Sequence, residues 1–154
     1  MTEHTVTIAP EAPDQPQIVA MLRASDVYMD GLYPPENNYM LDVADLMKRD
    51  ITFLVARRGP EALGCAAIAR REGYAEIKRM WVTPQARGLK LGRRLLDALE
   101  AIARAEAIPV LMLEAGDQQP EALGLYRSAG FEICPAFGDY PEGPPSVFMR
   151  KGLG

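Results

Sequence analysis

Between Arg87 and Arg93 the chain reads RGLKLGR, with three basic side chains and two glycines in seven residues. Val82-Thr83-Pro84 precedes this run, and Leu91, Leu95, Leu96 and Leu99 carry a helical spacing out of it. Glycine lets a ligand come close to the backbone. A helix start presents unpaired N–H groups and partial positive charge, and arginine and lysine add full charges. These are the ingredients of a pyrophosphate cradle. The run lacks the Gly-Lys-Ser/Thr of a P-loop and the GxGxxG of a dinucleotide fingerprint. On spacing alone, phosphate binding and an ordinary basic turn stand level.

Charge is unevenly distributed around this run. Residues 1–50 hold three basic and nine acidic side chains, a net −6, whereas residues 70–104 hold nine basic and four acidic, a net +5. An overall charge of −4 argues against nucleic acid as a partner. The local excess is either a solvated helix face or a site for a small polyanion. His4 is the only histidine, which argues against histidine-based triads and multi-histidine metal sites, so no metal is expected. Cys65 and Cys134 form no CxxC pair, suggest core packing rather than nucleophilic chemistry, and suit a reducing cytoplasm. No run approaches the roughly 20 apolar residues of a membrane span. The acids and prolines of MTEHTVTIAPEAPDQ do not suit a signal peptide.

The elements that must position the basic run alternate along the chain. Strand patterns occupy 5–9, 51–58, 62–72 and 74–82, and short turns at Gly59-Pro60 and Gly73 predict an antiparallel meander of the last three. Helical patterns occupy 14–33, 37–50, a stretch from the glycine run to about Ala107, and 119–129, the last capped by Gly130. VLMLEA at 110–115 is continuously apolar, as a central strand is. FEI at 131–133 and SVFMRK at 146–151 are expected as the final strands. With 154 residues and no internal repeat, one mixed α/β domain is expected.

The order MWVTPQARGLKLGRRLL, an apolar strand, then LYRSAGF resembles the GNAT superfamily of acyl-CoA-dependent N-acetyltransferases. That family carries Q/R-x-x-G-x-G/A after a strand ending like V-x-P. Here Gln85, Arg87 and Gly88 match, Lys90 replaces the small residue, and Gly92 matches a later glycine. Leu125, Tyr126, Gly130 and Phe131 match the downstream pattern, while Gln119 stands where asparagine is common. The resemblance is strongest over 76–131. It implies a single GNAT-like α/β domain with a mixed, mostly antiparallel central sheet flanked by helices on both faces.

The resemblance further implies acetyl transfer from acetyl-CoA, as cosubstrate, to a primary amine of a small molecule or amino acid. The backbone of Met80, Trp81 and Val82 would bind the pantetheine arm, and an amide near Val82 would polarise the thioester carbonyl. Backbone N–H groups of Arg87, Gly88, Leu89, Lys90, Leu91, Gly92 and Arg93 would hold the pyrophosphate, with Gln85, Gln119 and Tyr126 also at the cofactor. Tyr126 would protonate the departing thiolate, or else it is a core tyrosine on a helix face. Glu76 is the first candidate for the base and Glu114 the second; a surface glutamate paired with an arginine accounts for Glu76 equally well. Tyr28, Tyr33 and Tyr140, with Tyr39, Phe137 and the acids Asp26, Asp30, Glu36 and Asp139, would shape the acceptor pocket. Trp81 and Tyr74 are core or cleft lining, which the sequence leaves open. The expected partners are acetyl-CoA and a small amine, without nucleic acid or membrane, and with a homodimer left open. Protein N-termini or lysines as acceptors, a non-catalytic acyl-CoA-binding module and a purely structural domain remain the alternatives.

Overall fold

The computed structural model describes residues 5–154; His4 lies outside them. One seven-stranded sheet runs through the molecule in the order β1-β2-β3-β4-β5-β7-β6. Its strands are β1 (Val6–Pro10), β2 (Ile51–Arg58), β3 (Glu61–Arg71), β4 (Tyr74–Val82), β5 (Val110–Gly116), β6 (Glu132–Ile133) and β7 (Ser146–Gly152). The helices are α1 (Pro16–Asp30), α2 (Val43–Leu46), α3 (Leu91–Ala105) and α4 (Pro120–Ser128). No helix among the described residues is long and apolar enough to cross a membrane.

β1 to β4 form the expected antiparallel meander, with β1 added at its edge. The alternation of side chains along a strand then decides which helices cover which face. On β2, Phe53 and Val55 turn to the side covered by Ile18, Met21 and Leu22 of α1 and Leu46 of α2. Their neighbours Leu54 and Ala56 turn to the side covered by Leu91, Leu95 and Leu99 of α3. A strand covered on both faces must be apolar throughout, and Phe53–Ala56 and Leu63–Ala69 are buried without a break. On α3, Leu91, Leu95, Leu96, Leu99 and Ala103 are all buried while Arg93, Arg94 and Asp97 are exposed. Each leucine so buried contributes about 1.5–3 kcal/mol relative to exposure.

One expected helix is much shorter than its sequence pattern. Over 37–50 only Val43–Leu46 is α-helical, preceded by a 3₁₀ turn at Pro35–Asn37. Asp42 starts the helix by a capping box, accepting from the Asp45 N–H at 2.9 Å while the Asp45 carboxylate accepts from the Asp42 N–H. After only four helical residues, Met47 caps the other end. Leu46 alone is buried there, so a longer amphipathic face has nothing further to cover.

Candidate active site

β4 and β5 are parallel neighbours joined through α3, as a parallel pair requires a crossover. Their ladder pairs only Ala75 with Leu111 and Glu76 with Met112. Beyond those residues the strands part, and the edge of β4 from Ile77 onward faces an opening instead of a partner. The cleft formed there encloses about 890 Å³, including the part open to solvent. Its two walls are Ile77–Met80 and Leu113–Gly116. Ala122, Leu125 and Tyr126 of α4 close one side, and Met29, Tyr33 and Tyr39 close the other.

At the mouth of the split β4 is distorted. Cys65 pairs with Trp81 but Ala67 pairs with Lys78, so Arg79 and Met80 together oppose Ala66. This is a β-bulge, and Arg79 takes a left-handed conformation with φ of 56°. The strain is held by side-chain contacts. The guanidinium of Arg79 forms an ion pair of 2.6 Å with Asp26 and donates to the Leu22 carbonyl at 3.1 Å, both on α1. The Cys65 thiol donates to the Arg79 carbonyl at 3.3 Å. Burial pushes that thiol up to about 12, so it stays protonated and acts as a donor, not a nucleophile.

Glu114 and Tyr126 both line the cleft. Glu114, on β5 two residues past the last ladder pair, accepts from the Ser146 hydroxyl at 2.8 Å. Burial raises its pKa, and the charge of Glu76 adds to that while the hydroxyl of Ser146 and the charge of Lys78 oppose it. Tyr126, on α4, is buried, and its ring packs edge-on to Phe131 with centroids 5.9 Å apart. Burial, reinforced by the nearby Glu114 charge, raises the phenol well above its usual value. It therefore remains a proton donor at every ordinary pH. No protein group among the described residues hydrogen-bonds its hydroxyl.

The basic run leads into α3. A 3₁₀ turn at Pro84–Ala86 reverses the chain, Gly88 takes φ of 91°, and Lys90 caps α3 with φ of 57°. The first bond of the helical series runs from the Arg94 N–H to the Lys90 carbonyl at 3.2 Å, so the N–H groups of Leu91, Gly92 and Arg93 precede it unpaired within the helix. Arg87 and Lys90 are exposed and hold no ion pair among the described residues, whereas Arg93 pairs with Asp97 at 3.0 Å.

Residues 8–131 match the model of the Acetyltransferase (GNAT) family. The chain belongs to that family. A relative named IAA acetyltransferase, from Azospirillum brasilense, is 47% identical over 150 residues, covering 96% of this chain and 98% of the relative. A solved structure of a proposed acyl-CoA N-acyltransferase from Klebsiella pneumoniae subsp. pneumoniae is 37% identical. It superposes with a TM-score of 0.85 over 97% of this chain and 99% of that one. A PaiA N-acetyltransferase of Thermoplasma acidophilum, solved in complex with coenzyme A, shares the fold. Its TM-score is 0.75 at 19% identity, over 96% of this chain and 99% of that one.

Not every candidate of the acetyltransferase reaches the cleft. Glu76 is buried at the closed end of the split, where it accepts from the Tyr140 hydroxyl and from Lys78 Nζ at 3.4 Å. It is thus neither a surface glutamate nor paired with an arginine. Lys78 Nζ also donates to the Tyr140 hydroxyl at 2.6 Å and to the Tyr39 carbonyl at 3.1 Å. Tyr33 lines the cleft, but its hydroxyl is engaged by the Gln118 N–H at 3.0 Å. Tyr28 is not in the cleft; it is half-exposed on α1 and packs on Trp81, with ring centroids 5.6 Å apart. Trp81 itself packs with the α1 cluster. Gln119 lines the cleft and accepts from the Gly116 N–H at 3.1 Å, tying β5 to α4. Asp26 and Asp30 are engaged by Arg79 and Asn38, and Glu36 and Asp139 are exposed. Tyr74 packs edge-on to Phe137, centroids 5.7 Å apart. Cys134 is only half-buried beside β6, while Cys65 is core.

The sequence reading missed Arg79, which anchors the bulge. No local signal singled it out: Lys78 stands beside it on the same strand, and only the structure shows which of the two cations turns into α1.

Proposed function

We propose that this acetyltransferase moves an acetyl group from acetyl-CoA directly onto the primary amine of a small molecule, with Glu114 as base and Tyr126 as acid. The observation that carries this reading is the pair itself. One carboxylate with a raised pKa and one phenol with a raised pKa face the same cleft, opened where β4 leaves β5.

Acetyl-CoA fits the residues around the split. The edge of β4 past Glu76 has no strand partner and can pair with the amides of the pantetheine arm. The unpaired N–H groups at the start of α3, with Arg87 and Lys90 beside them, suit a pyrophosphate. Gln85 lies on the exposed turn before them.

A protonated amine has no lone pair with which to attack. Glu114 takes the proton, and the amine nitrogen adds to the thioester carbonyl carbon. Negative charge develops on the carbonyl oxygen, which a backbone N–H near Val82, turned by the bulge, stabilises. As the carbon–sulfur bond breaks, Tyr126 gives its proton to the thiolate, and the nitrogen's second proton returns to the phenolate, leaving a neutral amide and free CoA thiol. Glu114 is preferred to Glu76 as base because Glu76 is already held by Tyr140 and Lys78. Cytoplasmic residence suits the two free cysteines.

Titration of CoA into the protein, followed by release of free thiol from acetyl-CoA across an amine library, tests the reading. CoA binding and amine-dependent thiol release with an N-acetylated product are expected. CoA binding with no turnover on any amine would make the chain a non-catalytic binding module. Turnover only on peptides would redirect the reading to protein N-termini or lysines.

A further inference from the structure

Resting on the amine-transfer reading, we infer that the acceptor is an apolar primary amine bearing no carboxylate beside its nitrogen, so that free α-amino acids are poor substrates. The balance of charges in the cleft wall carries the inference. Two cations reach that wall, Lys78 and Arg79. An ammonium has three N–H donors, and Lys78 directs them to the Tyr39 carbonyl, the Tyr140 hydroxyl and the Glu76 carboxylate. Arg79 is turned into α1, where Asp26 neutralises it and the Leu22 carbonyl accepts from it. Each cation is thus matched by one carboxylate, although the buried Nε of Arg79 keeps no partner among the described residues.

The acid balance runs the other way. Glu114 has no cationic partner, since its one hydrogen bond comes from the Ser146 hydroxyl. With Glu76 matched to Lys78 and Asp26 to Arg79, the wall carries one uncompensated negative group. An incoming ammonium meets that group favourably and surrenders a proton to it. A carboxylate one carbon from the nitrogen would be brought beside Glu114 with no free cation among the described residues of the wall to pair it, and a desolvated charge without a counter-charge is strongly disfavoured. The rest of the acceptor side offers Met29, Tyr33, Tyr39 and Met40, with Ser25, Asn37 and Asn38 as its neutral polar groups, a wall without charge that suits an apolar or aromatic body.

The test compares matched acceptors with the full-length protein and acetyl-CoA: phenethylamine with phenylalanine, tyramine with tyrosine, and tryptamine with tryptophan. Products are identified by mass. In each pair that turns over, the amine is expected to have a kcat/KM at least about tenfold above its amino acid. Phenylalanine methyl ester, which keeps the bulk but loses the charge, should behave like phenethylamine. Glu76→Gln removes the partner that occupies Lys78 and should narrow the ratio several-fold by improving the amino acid; Tyr140→Phe should narrow it less. Amino acids used as well as the amines would overturn the inference and leave the amine-transfer reading standing. So would ratios unchanged in both folded variants. Absence of turnover on every amine, with CoA bound, would overturn both.

Discussion

The glycine turn before α3 and the carboxylate cluster at the β4–β5 split are built in opposite ways. The turn works through backbone: Gly88 and Lys90 hold left-handed conformations, and the groups offered to a ligand are N–H donors at a helix start. All of it comes from seven consecutive residues. The cluster works through side chains drawn from β4, β5, β7, α4 and the loop between β6 and β7, with the Tyr39 carbonyl from the segment before α2, and its properties come from burial and pairing. Substitution should therefore act differently in the two places. In the turn a side chain can change with little effect provided the backbone conformation survives. In the cluster a single atom decides.

The largest effect is expected from Glu114→Gln, which keeps the shape and removes the base. Turnover should fall by about a thousandfold, within the range general bases contribute. The acid limb of the pH profile of kcat/KM should lie above the ordinary carboxylate range and vanish in the variant, because burial raises the Glu114 pKa. Stability carries the same signature. Between the unfolded and the raised folded pKa the native state holds more protons, so stability falls as pH rises through that window. Glu114→Gln should flatten that fall, read as Tm against pH. A retained acid limb in the variant would return the base to Glu76.

Tyr126→Phe should come next, with kcat down by about a hundredfold and acetyl-CoA KM little changed. The raised phenol pKa places its titration beyond the working pH range, so a basic limb in the native profile should belong to another group. Wild-type kcat when chemistry is rate-limiting would reduce Tyr126 to a packing residue and leave water to protonate the thiolate.

In the turn, Gly88→Val should raise the acetyl-CoA KM by about tenfold, equivalent to about 1.4 kcal/mol. A Cβ there would meet nothing within 4 Å, so the expected loss arises from the φ of 91° that valine disfavours. Unchanged CoA affinity in the folded variant would remove the turn from the cofactor site. Smallest is Gly92→Ala. Its added carbon would lie 2.8 Å from the end of the Leu125 side chain, which can turn away. A stability change below about 1 kcal/mol is expected, with KM nearly native because the N–H remains. A KM loss matching that of Gly88→Val would mean that phosphate approaches Gly92 itself.

Sequence alone determined the elements, their order and the turn, because each rests on local periodicity and on residues adjacent in the chain. It also supplied both carboxylates and the tyrosine, but not which of them share a space. That depended on where β4 and β5 part. Glu76 sits in the last ladder pair and is sealed behind it, whereas Glu114 lies two residues past Met112 and opens into the gap. Strand alternation gives each residue its face but contains nothing about the point at which two distant strands diverge. Tyr28 and Tyr33 differ for the same reason: five residues apart at the end of α1, one packs on Trp81 outside the cleft and the other lines it. The short α2 likewise follows from how little core remained to cover beside Leu46. Local chemistry wrote the parts, and long-range packing decided which side chains meet, because desolvation and charge pairing exist only once the layers close.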